Sequence, residues 1–286
     1  MEPSSSKKQA GDYIIYPQNK LGIGTYGYVC EAKKKSNSKI IFAAKTINLL
    51  ILTENDENKR KRFREILERE ISILKVIKHK NIVEFVDAVL TKHNLYILFE
   101  KCCDGDLFNY QKRFKFQELD ILKFLKDILS GYSVLVANNI IHRDMKPKNI
   151  LINKGSFKIS DFGFSRFVED CKETQLLTKS VGSPIYMAPE VYENGVYSNQ
   201  CDIWSLGIIL YELAFEKTPW SGNNFIELFE NTKSKPLEFP PYKPDEWSED
   251  FIDLIKKMID LDCKKRLTWE KLLNHKIVKS LGPLDK

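Results

Sequence analysis

Apolar and polar residues change their spacing once along the chain. From Tyr13 to Ile47 the apolar positions come in short runs, "YIIYPQNKLGIG", "YGYVCEAKKK" and "KIIFAAKTI", with turn residues such as "SNS" between them. That pattern predicts antiparallel strands joined as a meander. Residues 59–78 differ, because Phe63, Ile66, Leu67, Ile71, Leu74 and Ile77 recur at helical spacing. Glu70 falls inside this stripe, whereas Glu65 and Glu68 lie off it. A carboxylate on a buried face needs a partner, so the pattern predicts a cation for Glu70. Strand-like "NIVEFVDAVL" and "LYILFE" follow, then "KCCDGDL" as a short connector. Beyond it the spacing is helical. Ile121, Leu122, Leu125, Ile128, Leu129 and Tyr132 form one face, and "DIWSLGIILYELAF" is apolar nearly all round, as a buried central helix should be. Residues 248–260 and 268–279 predict two further amphipathic helices. The outline is α+β: a disordered polar start over 1–12, a small antiparallel β lobe with one helix over 13–99, a connector at 100–106, a large helical lobe over 107–279, and a tail at 280–286. There is no internal repeat.

Composition narrows the classes. At 286 residues the chain can build one large domain or two lobes with a substantial core. The net charge of +6 is mild and spread out, which suits an anionic ligand and makes no case for nucleic acid. The six cysteines lack metal-type C-x-x-C spacing, and the adjacent Cys102 and Cys103 are a poor disulfide, so the expectation is a reduced cytoplasmic protein. The start "MEPSSSKKQAGD" has no signal-peptide core, Glu2 excludes the myristoylation pattern, and no apolar run is long enough to span a bilayer.

Candidate chemistry enters at three places. "GIGTYGYV", residues 22–29, fits G-x-G-x-x-G-x-V, in which glycines let the backbone approach phosphates. The strand, turn and strand after Gly27 remove a dinucleotide-binding reading, which needs a helix there; a plain turn and a glycine-rich hairpin lid remain. Lys45 ends "IIFAA" and precedes the helix with the inward Glu70, so each supplies the other's partner. The stretch "IIHRDMKPKNILI", 140–152, crowds His142, Arg143, Asp144, Lys146, Lys148 and Asn149 into a loop tied at both ends to apolar runs. With Asp161 of "DFG" at the end of the strand "FKIS", Asp144 and Asn149 offer three oxygen-bearing side chains, a set suited to Mg²⁺ and a base, or to a metal-free polar cluster.

From about residue 13 to 279 the chain resembles a eukaryotic protein kinase catalytic domain, with "GIGTYGYV", "FAAK", "HRDMKPKN", "DFG", "APE" and "DIWSLG" in the expected order. The resemblance implies the two-lobed kinase fold and phosphoryl transfer from ATP with Mg²⁺. It implies Asp144 as the base for the substrate hydroxyl, Lys146 steadying the transferred group, Asn149 and Asp161 as Mg²⁺ ligands, and Lys45, paired with Glu70, on the α- and β-phosphates. It further implies a nucleotide site of Leu21, Gly22, Ile23, Gly24, Thr25, Tyr26, Gly27, Tyr28 and Val29, with Ala43 and Leu151 on adenine. Glu100 and Cys102 would offer backbone hydrogen bonds, Asp106 would lie near the ribose and Phe99 at the back. Glu190 and Arg266 match a structural ion pair.

Lys146 two residues after Asp144, with "GSP" before "IYMAPE", is the serine/threonine pattern, so the implied partners are protein substrates with Ser/Thr acceptors. "DFGFSRF", "GSPIYMAPE" and "ELFENTKSKPLEFP" are similar to the autophagy-initiating ULK-like kinases, with calcium/calmodulin-type kinases the nearest competitor. A pseudokinase scaffold is the rival from another class; the intact Lys45, Glu70, Asp144, Asn149 and Asp161 argue against it. "FAAK" keeps Ala43 and the lysine. Lys148 stands where many arginine-directed kinases have glutamate. Arg143 and Arg166 align with a basic pocket for an activation-loop phosphate, which Lys179 cannot supply. Thr178 and then Ser180 are the candidates, with Glu169, Asp170 and Glu173 as acidic surrogates, and a regulatory protein partner fits the same picture.

Overall fold

The computed structural model describes residues 7–24, 27–49, 57–167, 184–193, 198–243 and 245–284. The chain divides into two compact units, Met1–Cys103 and Asp104–Lys286.

In the first unit, strands β1 (Lys8–Ala10), β2 (Tyr13–Gly24), β3 (Gly27–Lys34), β4 (Asn37–Asn48), β5 (Phe85–Leu90) and β6 (Asn94–Glu100) form one sheet in the order β1-β2-β3-β4-β6-β5. Every pairing in it is antiparallel, as the meander pattern predicts. Alternation puts Ala10, Tyr13, Ile15, Cys30, Ala32, Ala44, Tyr96 and Leu98 into one buried cluster. Helix α1 (Glu57–Val76) buries Phe63, Leu67, Ile73 and Leu74, and Ile77, just past its end, is buried too. Glu70 on this face is 2% exposed.

The reading of residues 1–12 as disordered needs correction over 8–10, which form the edge strand β1. Gly11, at φ +53°, turns the chain back, Lys8 pairs with Ile15, and Ala10 joins the core. Residues 1–6 lie outside the described residues.

The second unit contains α2 (Leu107–Tyr110), α3 (Glu118–Ala137), β7 (Ile140–Ile141), β8 (Ile150–Asn153), β9 (Ser156–Ile159), β10 (Arg166–Phe167), α4 (Pro189–Glu193), α5 (Gln200–Phe215), α6 (Phe225–Ser234), α7 (Glu249–Met258), α8 (Trp269–Leu273) and α9 (Lys276–Ser280). Gln117 and Asp120 cap α3 reciprocally, and the predicted face from Ile121 to Tyr132 is buried. Helix α5 is buried nearly all round. The single helix expected over 268–279 is two short ones. Asn274 turns its amide onto the Glu270 carbonyl at 2.9 Å, and His275, in extended backbone, bonds Asp253 of α7 at 3.1 Å. Side-chain bonds of this kind compete with the helical ladder and end it there.

A buried ion pair spans this unit. Arg266, 0% exposed, makes two parallel bonds to Glu190, 2.6 and 2.9 Å, and its guanidinium lies 4.9 Å from the Trp204 ring centroid.

Candidate active site

The first unit brings together the glycine hairpin and the Lys45–Glu70 pair. Gly22 faces Val29, Ile23 faces Tyr28 and Gly24 faces Gly27 across the β2–β3 ladder; Thr25 and Tyr26, at its tip, lie outside the described residues. The glycines differ in what they do. A Cβ on Gly27 would fall 1.9 Å from the Thr46 carbonyl oxygen of β4, so only glycine lets these strands pack, whereas a Cβ on Gly22 would meet nothing within 4 Å. Gly27 is therefore needed by the sheet itself, while Gly22 borders open space, as a backbone approached by a ligand would.

Lys45 sits in mid-ladder, opposite Val29 and Ile97. Its Nζ donates to Glu70 Oε1 at 2.6 Å. Glu70 Oε2 is buried with no hydrogen-bond partner among the described residues. Ala43, two residues earlier, pairs with Phe99. Leu21 and Ile23 are exposed, and Val29 and Tyr28 half-buried. The Glu100 N–H is donated to the Glu84 carbonyl at 3.0 Å.

The second unit holds the polar loop. Strand β7 pairs with β10, Ile141 opposite Arg166, so Arg143 and Arg166 both lie beside this short ladder. The loop then crosses to the 3-10 turn Pro147–Asn149 and enters the β8–β9 hairpin. Its shape is set from below by Asp202 on α5. This carboxylate, 1% exposed, accepts the N–H of His142 at 2.7 Å, the N–H of Arg143 at 2.8 Å and the hydroxyl of Tyr132. The His142 ring bonds the Ser160 carbonyl at 3.0 Å and lies edge-on to Phe162, 5.1 Å between centroids. One loop is thereby tied to α3, α5 and the "DFG" segment.

Asp144 is the focus of the loop. Lys146 Nζ donates to both of its oxygens, at 2.9 and 2.7 Å, and Asn149 Nδ2 donates to Oδ2 at 2.7 Å and to the Asp144 carbonyl at 2.8 Å. Burial pushes the Asp144 pKa above the ordinary aspartate value, and Lys146 and Asn149 pull against that rise. Both Asn149 bonds use the amide nitrogen, which leaves the amide oxygen to accept or to ligate. Asp161 and Arg143 adopt left-handed backbone, φ +59° and +71°, a costly conformation outside glycine and one concentrated at functional sites.

Residues 104–106 pair with the start of β8: the Asp104 N–H bonds the Ile152 carbonyl, the Ile152 N–H bonds the Gly105 carbonyl, and Asp106 bridges to Leu151. Two residues of the implied nucleotide site, Asp106 and Leu151, are thus neighbours. Both Asp106 oxygens cap α2 through Asn109, at 2.8 and 2.9 Å, a structural duty the sequence reading did not include. Cys102 is half-buried. Thr178, Ser180 and the acidic surrogates lie outside the described residues.

Asp202 escaped the sequence reading although "DIWSLG" did not. The available signal was a lone carboxylate opening a helix that is otherwise apolar all round, since a buried charge must be held by several donors.

Residues 16–278 match the protein kinase domain family. The chain is 36% identical over 278 residues to the serine/threonine-protein kinase ATG1a of Arabidopsis thaliana, covering 94% of this chain and 42% of that protein. It is 34% identical to calcium-dependent protein kinase 5 of Plasmodium berghei, covering 90% and 44%, and 33% identical to the serine/threonine-protein kinase ULK3 of Homo sapiens, covering 90% and 53%. The chain therefore spans about half, or less, of the length of these curated relatives.

Proposed function

The chain belongs to the protein kinase domain family, and from that premise we propose that it transfers the γ-phosphoryl group of ATP to serine and threonine hydroxyls of protein substrates. The observation that carries this reading is the Asp144 carboxylate, held by Lys146 and Asn149 on a loop fixed to Asp202. A carboxylate so oriented accepts the proton of an incoming hydroxyl as the new O–P bond forms. Lys146 and Lys45 supply fixed positive charge for phosphoryl oxygens, and Glu70 holds Lys45 in place. Such preplaced charge is the main catalytic resource when negative charge spreads over the transferred group.

Mg²⁺ fits the donor set. Among the described residues no three His, Cys, Asp or Glu side chains gather into a metal cage, and Mg²⁺ commonly binds through one or two protein oxygens, with waters and substrate phosphates completing its shell. Asn149 and Asp161 would hold it, and when bound it would neutralise charge on the phosphates.

The ATG1a and ULK3 similarities support an ATG1-type kinase in autophagy-type signalling, acting in the cytoplasm with a regulatory protein partner. No helix among the described residues is long and apolar enough to cross a membrane. Arg143 and Arg166 would receive a phosphate on Thr178, or else Ser180. Labelled ATP and a peptide array with all three hydroxyl acceptors test the reading. Label on serine and threonine peptides is expected; label confined to tyrosine, or none, would contradict it.

A further inference from the structure

Three stretches of the first unit that carry implied nucleotide residues are joined through one carboxylate. Glu31 lies on β3 two residues after Val29, and it stands opposite Ala43 on β4. Side chains two apart on a strand share a sheet face, as do those directly opposite on the next strand, so Glu31 lies on the face of Val29 and Ala43. Its chain neighbours Cys30 and Ala32 belong to the buried cluster on the other face.

Each Glu31 oxygen accepts from a different stretch. Lys101 Nζ donates to Oε1 at 2.7 Å, and Asn19 Nδ2 donates to Oε2 at 2.7 Å. Lys101 lies between Glu100 and Cys102, the residues whose backbone groups are implied for adenine. The β4–β6 ladder ends at Phe42 opposite Glu100, so the Lys101 side chain carries a tie to the sheet past the point where the backbone pairing stops. Asn19 lies two residues before Leu21, where β2 slips against β3. Tyr16 is opposite Glu31 and Lys20 opposite Cys30, so residues 17–19 stand out of the ladder, and the Asn19 bond fastens this bulge to β3. Lys101 and then Asn19 hold the Glu31 carboxyl below the ordinary glutamate value, so it is ionised and both bonds are charge-assisted. The Lys101 and Glu31 side chains are 25% and 17% exposed, and solvent screens the pair only in part.

We propose that Glu31 is a positioning residue for the nucleotide: with Lys101 and Asn19 it holds the connector backbone, the Val29 and Ala43 face and the root of the glycine hairpin at a fixed spacing. This rests on the kinase reading above. A ligand that meets groups already in place spends less of its binding energy on ordering them. Loss of the tie therefore weakens ATP binding and leaves transfer from bound ATP nearly as fast.

The test uses the 286-residue chain, labelled ATP with a serine peptide, and calorimetric titration with ATP. Glu31→Ala and Lys101→Met each raise KM and Kd for ATP by about three- to ten-fold, the scale of a part-exposed charged hydrogen bond, with kcat within about two-fold and KM for the peptide unchanged. Lys101→Arg, which keeps the cation, stays near wild-type affinity, and the double variant Glu31→Ala with Lys101→Met loses little more than Glu31→Ala alone. Lys101 is replaced without emptying a core site, so its variant reads the tie even where Glu31→Ala lowers stability. Wild-type ATP affinity in both single variants, or a fall in kcat with KM for ATP unchanged, overturns the inference and leaves the kinase reading standing. A wild-type chain that neither binds ATP nor transfers label overturns that reading and this inference with it.

Discussion

Asp144 is a carboxylate on which burial and neighbours act in opposite directions. Burial disfavours its charge and raises its pKa, while the Lys146 ammonium and the Asn149 amide favour the charged form. A general base must be unprotonated, so the rate should fall as pH drops through a pKa above the ordinary aspartate range. The kcat/KM profile is expected to show its acid limb there, and Lys146→Ala, which removes the opposing cation, should move that limb to higher pH. A limb at or below the ordinary aspartate value in both proteins would contradict the assignment. Lys45 and Glu70 form the other residue-scale unit, a 2.6 Å pair whose carboxylate is 2% exposed. Lys45→Met and Glu70→Gln should each remove most of the activity, and the double variant should lose little more than either single one, because they disable the same pair. Additive losses would show that the two act separately.

At the scale of elements, the polar loop is an accessory of α5. Asp202→Ala would leave the buried N–H groups of His142 and Arg143 and the Tyr132 hydroxyl without their acceptor. A loss of about 2–5 kcal/mol in unfolding free energy is expected, read by chemical denaturation; a loss below about 1 kcal/mol would mean that the loop does not depend on this anchor. This dependence marks where sequence reasoning runs out. The meander, the α1 stripe with its inward Glu70 and the buried α5 are legible because each follows a local period. Strand β1 is not, because Lys8–Ala10 is short and polar and becomes a strand only by pairing with β2. Nor is the break at Asn274 and His275, which depends on Asp253 in another helix. Asp202 was hidden for the same reason, since its partners lie 59 to 70 residues away in sequence. In the site, motif order supplied the candidate residues, but not the close packing of Gly27 on Thr46 or the capping of α2 by Asp106.

At the scale of the whole molecule, the proposed function assigns phosphate contacts to Lys45 in the first unit and the base and metal ligands to residues of the second. The proposed function also has Arg143 and Arg166 receive a phosphate on Thr178 or Ser180. Thr178→Ala with Ser180→Ala should lower activity, and mass spectrometry of the wild-type protein after incubation with ATP should find phosphate at one of these positions; full activity with no phosphate between 170 and 182 would remove that part. The central claim is that Asp144 performs the proton transfer of a protein kinase. Its most direct test compares wild type with Asp144→Asn for transfer of label from ATP to a serine peptide, with ATP binding measured on both proteins. The prediction is a fall of about 10²- to 10⁴-fold in turnover with ATP affinity nearly unchanged. Turnover within a few-fold of wild type would contradict it.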